Sequence, residues 1–141
     1  MKIKYFMFVL FLGCLLANGS SYCIAKEKKK GETVVHGVTI VTMNAPLRAT
    51  IGRKVNVEVI VGNERATKVT TILTVTCPTT KQQIGREAET LDGLSSQKIV
   101  YSWNTEGLKE GTYVIRAEVE KVPAETDVND NARQLEIILE R

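Results

Sequence analysis

VNVEVIV, residues 55–61, alternates without a break. Val55, Val57, Val59 and Val61 share one side, and Asn56 and Glu58 lie opposite. A run of β-branched residues with period two and one polar face marks a half-buried antiparallel strand. The same period recurs on both sides of it. VTTILTVTC (69–77) aligns Leu73, Val75 and Cys77 against threonines, with Ile72 the exception, and KIVYSW (98–103) aligns Ile99, Tyr101 and Trp103. YVIRAEV (113–119) aligns Tyr113, Ile115, Ala117 and Val119, and RQLEIIL (133–139) aligns Leu135, Ile137 and Leu139. GVTIVTM (37–43) supplies a first strand. QQIGREAETL (82–91), polar on both faces, reads as an edge strand protected by its charges. Turn residues such as Pro46, Gly62-Asn63, Pro78, Asp92-Gly93, Gly107, Gly111 and Pro123 fall in the intervals. No stretch keeps a helical period. Seven strands at this spacing predict an all-β, seven-stranded, immunoglobulin-like Greek-key antiparallel sandwich. Its core is expected around Val57, Leu73, Tyr101, Trp103, Tyr113, Ile115 and Ile137.

The stretch before the strands has a different composition. Lys2 and Lys4 precede an apolar run from Tyr5 to Ala17, and small and polar residues follow. This is the order of a secretory signal. The run is thirteen residues long, short of the roughly 20 that a membrane span needs. Cys23-Ile24-Ala25 offers small residues for cleavage after Ala25, and Ala17-Asn18-Gly19 is a second candidate. FLGC, ending at Cys14, shares the Gly-Cys end of a lipoprotein signal, so acylation of Cys14 is the alternative. The expected organisation is a signal peptide over 1–25, a basic linker over 26–33 and a sandwich over 34–141. The chain is expected to be exported to the periplasm, cell surface or medium, or to be membrane-anchored as a lipoprotein.

Without residues 1–25 the chain carries 17 basic and 16 acidic side chains. Four of the basic ones lie in KEKKK (26–30). From Gly31 onward acids outnumber bases, 15 to 13, so the basic character belongs to the leader and the tether. The domain shows no basic face with interleaved aromatics, which argues against a nucleic-acid partner. Membrane contact is expected only through a lipid anchor or the lysine tether. Removal of the leader leaves Cys77 alone, with no internal disulfide to form. A domain of this size rests on its core.

Catalytic constellations are sparse. His36 is the single histidine, at the start of the first strand, with no nucleophile beside it. Cys77 shares the inward parity of Leu73 and Val75, which predicts a buried, inert thiol. There is no paired metal-ligand spacing and no phosphate-binding glycine loop. The sequence therefore predicts no enzyme and no cofactor. A carbohydrate-binding module, the alternative function, would need exposed aromatics, and Tyr101, Trp103 and Tyr113 all carry inward parity. Tyr113, following Glu110-Gly111-Thr112, fits a tyrosine corner.

PAETDVNDNA (123–132) is the densest polar stretch. Asp127, Asn129 and Asn131 fit the first ligand positions of a calcium-binding helix–loop–helix. The required glycine is Ala132, however, and the closing glutamate is Ile138. A looser calcium site would use Glu125, Asp127 and Asp130. The favoured reading is a turn into the last strand, with Asn131 or Asp130 bonding backbone amides.

From Thr39 to Leu139 the chain resembles the CARDB domains, a cell-adhesion-related group of immunoglobulin-like sandwiches. The resemblance lies in VNVEVIVGN (55–63), in Trp103 followed by Gly111-Thr112-Tyr113, and in Glu125 followed by Asn129-Asp130-Asn131. The chain departs from the group at Asn63-Glu64-Arg65, where Asn-x-Gly is usual, and at Asp130, which interrupts an Asn pair. The resemblance implies a binding or spacing module of surface proteins. The expected function is thus an exported, non-catalytic module that binds a protein partner or serves as an adhesion or accessory subunit.

Overall fold

Eight strands, not seven, follow one another in the computed structural model, which describes residues 33–141. They are β1 (Val38–Asn44), β2 (Arg48–Thr50), β3 (Lys54–Asn63), β4 (Val69–Cys77), β5 (Gln82–Leu91), β6 (Ser96–Asn104), β7 (Gly111–Val119) and β8 (Ala132–Glu140). One sheet has the order β1-β3-β6 and the other β2-β8-β7-β4-β5. The two face each other as a sandwich. The signal peptide, Cys14 and nearly all of the expected linker lie outside the described residues.

The added strand is β2. It pairs parallel to β8, with Arg48 opposite Ile138 and Thr50 opposite Glu140, in a sandwich whose other pairings are antiparallel. Pro46 has no N–H to give to a ladder. After β1 the chain leaves the first sheet and joins the edge of the second, where the Ile138 N–H donates to the Leu47 carbonyl at 2.8 Å. Three residues are too few to show a period, so this strand leaves no alternation in the sequence. β1 also carries a bulge between Ile40 and Thr42. The bulge reverses the parity of the strand: Val38 and Ile40 face inward before it, Val41 is exposed, and Met43 packs against the core after it.

The valine column of β3 (Val55, Val57, Val59, Val61) faces Leu73, Val75 and Cys77 of β4, all buried. Ile115, Ala117 and Val119 of β7 and Ile137 and Leu139 of β8 complete the interior. Trp103, fully buried, is the largest side chain there. Its ring stands 5.7 Å from that of Tyr113 at a 60° tilt, and its indole N–H donates to Gln82 Oε1 at 3.3 Å. Tyr113 turns its hydroxyl back to Lys109, donating to the carbonyl at 2.8 Å and accepting from the N–H at 3.2 Å. This locks the β6–β7 loop onto the first turn of β7, as a tyrosine corner does.

β5 lies at the edge of the five-stranded sheet. It is less polar than its sequence suggests. Leu91 is buried and Ile84, the extra residue of a second bulge opposite Val75–Thr76, is half-buried.

Because Trp103 spans the space between the sheets, Trp103→Ala should cost about 3–5 kcal/mol, a large share of the roughly 5–15 kcal/mol typical of a domain. Urea denaturation of the two proteins measures it. A loss under about 1 kcal/mol would mean the side chain fills no such space.

Candidate functional site

The polar loop 123–132 joins β7 to β8 at the end of the sandwich where β1 begins. Its geometry follows from one side chain. Glu125 is 2% exposed, and its carboxylate accepts three hydrogen bonds. Oε1 takes the Val38 N–H at 2.8 Å, and Oε2 takes the Val122 N–H at 2.9 Å and the Asn131 amide at 3.2 Å. No basic side chain pairs with it among the described residues. The buried charge is held by N–H dipoles alone, and charge-assisted bonds of this kind are roughly twice as strong as neutral ones.

Gly37 makes the contact sterically possible. A methyl group there would collide with the Glu125 carboxylate and stand 2.8 Å from Val122 Cγ2. Ala124, just before Glu125, holds a left-handed φ of 64°, a conformation that costs a non-glycine residue about 1–2 kcal/mol. The bonds of the neighbouring carboxylate offset this strain.

The other acids of the loop have different duties. Asp127 Oδ1 accepts the Asn129 N–H at 3.3 Å, a local turn, while Oδ2 stands 3.5 Å from His36 Nδ1. Glu64 Oε2 approaches the same nitrogen at 3.2 Å, and the His36 side chain is 56% exposed. Asp130 contributes its main chain, whose carbonyl accepts the Ile40 N–H at 2.9 Å beside the β1 bulge. Thr126 accepts the Val35 N–H at 2.8 Å, and its own N–H donates to the Val35 carbonyl at 2.9 Å. The loop therefore straps residues 35–40 to the sandwich. The expected bond from Asn131 or Asp130 side chains to backbone amides is made by Glu125, with Asn131 in support. Asn131 Oδ1 is buried and accepts no bond.

Among the described residues no three or more His, Cys, Asp or Glu side chains are grouped so as to hold a metal ion. Cys77 is fully buried as a free thiol. Tyr101, Trp103 and Tyr113 are buried at 8%, 0% and 8% exposure, so none offers a flat platform to solvent.

Asn63, expected in a turn after VNVEVIVG, has a structural role there. It is buried, its amide donates to the carbonyls of Thr67 at 2.8 Å and Asp92 at 2.9 Å, and its Oδ1 accepts the Arg65 N–H at 2.9 Å. The side chain thus closes the β3–β4 turn without the usual glycine.

Two surfaces remain open. A groove of about 530 Å³ runs along Arg116, Glu118, Glu120, Lys121, Val128 and Asn131. On the outer face of the three-stranded sheet, Val41 and Val100 are 41% and 53% exposed, and the Lys98–Glu58 ion pair (3.0 Å) is the one salt bridge on that face among the described residues.

The sequence matches no protein-family model and no curated protein. The fold has close counterparts among solved structures. A CARDB domain of Pyrococcus furiosus, crystallised in complex with di-metal ions, superposes with a TM-score of 0.62 at 20% identity, covering 72% of this chain and 86% of that one. Its solution structure gives the same TM-score and covers 93% of that chain. A β-glucosidase of Erythrobacter marinus matches with a TM-score of 0.60 at 14% identity, over 73% of this chain but 15% of the enzyme. An alkylpurine DNA glycosylase of Pseudomonas fluorescens, bound to DNA containing an abasic-site analogue, matches at 0.54 and 13% identity, over 30% of its length. The likeness is one of fold: this chain has the immunoglobulin-like sandwich of the CARDB domain.

The two acids of the loop should respond differently to truncation. Glu125→Ala strips three N–H groups of their acceptor and should cost about 2–4 kcal/mol, whereas Asp127→Ala should cost about 0.5–1.5 kcal/mol. Gly37→Ala should resemble Glu125→Ala. Urea titrations of the three variants check this, and equal losses at Glu125 and Asp127 would contradict the strap.

Proposed function

We propose that the chain is an exported, non-catalytic β-sandwich module that binds a protein partner in the cell envelope or outside the cell, as an adhesion or accessory subunit. One observation carries most of the weight. All three aromatics of the described residues are packed inside, which leaves the surface to small, aliphatic and charged side chains. That surface suits a protein partner better than a sugar ring, which binds by stacking on exposed aromatic faces. The outer face of the three-stranded sheet, with Val41 and Val100 exposed and little charge, is of the kind that another protein covers.

The fold is consistent with an attached module. In the β-glucosidase and the glycosylase the matching part is a small share of a larger chain, and binding or spacing is the role that the CARDB likeness suggests for this one. The leader-like residues 1–25 support export, and Cys14 supports the lipid-anchored version.

Affinity capture from the native envelope, run beside a glycan array on the same purified protein, separates the readings. A protein retained by the wild type and released by Val41→Asp or Val100→Asp is the expected result. Glycan retention with no protein captured would overturn the proposal in favour of a carbohydrate-binding module. Intact mass of the protein from its native host should lack roughly the first 25 residues, or begin at an acylated Cys14. A product starting at Met1 would remove the export premise.

A further inference from the structure

β5 and β6 are successive strands at the edges of different sheets, and they border the same flank of the sandwich. The inward parity of β5 runs Gly85, Glu87, Glu89, Leu91, opposite Val75, Leu73, Thr71 and Val69 of β4. Apolar residues belong at such positions. Two of the four are glutamates: Glu89 is 8% exposed, and Glu87 is exposed at the rim of the flank.

Facing them from β6 is Tyr101. Its ring occupies the space that a side chain at position 85 would need, since a methyl group on Gly85 would overlap it. Glu87 is the next inward residue along β5. The Tyr101 hydroxyl is buried and turned toward the Glu87 carboxylate with Glu89 near it, but it completes no well-formed hydrogen bond there.

The two carboxylates are also without counter-charges. Among the described residues Glu58 pairs with Lys98, Glu118 with Arg116, Glu120 with Arg86 and Glu140 with Arg48. Neither Glu87 nor Glu89 has an ion pair with a basic side chain among the described residues, and the polar side chain turned toward Glu87 is the Tyr101 hydroxyl. Arg86, the basic residue between the strand's bulge and this pair, reaches the opposite face to meet Glu120 at 2.9 Å. Burial, and then the charge of Glu87, push the Glu89 carboxyl above its ordinary range. Burial and the two glutamates do the same to the Tyr101 hydroxyl.

We propose that this flank binds a hard divalent cation, calcium above all, between the carboxylates of Glu87 and Glu89 with the Tyr101 hydroxyl as a third oxygen. The two residues share a face of one strand, about 6.6 Å apart along it, a span that two glutamate arms can close on one ion. All three donors are oxygen, which suits calcium and gives soft or borderline metals no nitrogen or sulfur. Two carboxylates cancel the ion's charge, and water completes its shell of 6–8 oxygens on the open side. A site with so few protein ligands belongs in the range of about 10⁻⁴–10⁻³ M, as in extracellular modules.

The test is a thermal melt of the purified protein in chelator and again in 10 mM calcium. For a dissociation constant near 1 mM the midpoint should rise by about 5 °C. Glu87→Gln and Glu89→Gln should each abolish the rise, while Asp127→Ala keeps it. Folding of the glutamine variants is not in question. A carboxyl whose range is raised in the folded state favours folding while protonated and opposes it once ionised at higher pH. In chelator at pH 7, Glu89→Gln should therefore melt at or above the wild type, an advantage that disappears below about pH 4. Terbium gives a second readout. Emission sensitised by Tyr101 should appear in the wild type, fall with added calcium and be absent in Glu89→Gln. No calcium-dependent rise in the wild type, or a rise that survives in both glutamine variants, would overturn the proposal.

Discussion

The two sheets are joined by apolar contact and nothing covalent. Cys77, the one cysteine of the described residues, is a free buried thiol, so the sandwich depends on how well its inner faces fill the roughly 10 Å between aligned sheets. Trp103 is the side chain that sets the fit. It occupies the interior at no exposure, leans on Tyr113 and anchors its one polar atom to Gln82. The Tyr113 hydroxyl in turn fixes the preceding loop through Lys109. Packing, strand phase and loop geometry are thus one connected arrangement, and the small Val55, paired with Trp103 across the ladder, is part of it. Larger residues there would leave the indole no room.

Within that frame the polar loop does structural work that composition hides. Glu125, Asp127 and Asp130 lie within six residues and look alike in sequence, yet one is buried, one half-buried over a local turn, and one useful for its carbonyl. What separates them is the supply of donors. A carboxylate can stay inside without a counter-ion when N–H groups already point at it. The start of β1, the turn after β7 and the Asn131 amide provide three.

Legibility from sequence followed the same division. β1, β3, β4 and β6–β8 were readable because half-burial imposes a period of two, and β5 was readable as a charged edge between turns. β2 was not, since Arg48–Thr50 is too short to show a phase and its partner lies 90 residues away. The bulges at Val41 and Ile84 were also invisible, because inserting one residue looks like a lapse in alternation. The buried state of Trp103, Tyr101 and Tyr113 could be argued from parity. The role of Glu125 could not, because two of its three partners are backbone groups, at Val38 and Val122, that any residue would carry. Glu87 and Glu89 escaped for the opposite reason. On an edge strand charges are expected, and only the register against β4 shows that these two share the parity of Leu91, Glu89 buried and Glu87 exposed at the rim.

Glu125 and Glu89 make an instructive pair. Both are glutamates, both almost fully buried, at 2% and 8% exposure, and neither has a basic partner. Glu125 receives three hydrogen bonds, and the fold around it, down to the missing side chain at Gly37, is shaped to supply them. Glu89 receives none, and the charged group that acts on it is a second carboxylate, Glu87. If desolvation alone decided the matter, the position would be apolar like Leu91 two residues on. A carboxylate pressed against the edge of the core beside a second carboxylate is disfavoured in its charged form, and a counter-charge would relieve that cost. The balanced glutamate belongs to the architecture. Glu89, with the exposed Glu87 beside it, has no such hydrogen-bond donors supplied by its own chain.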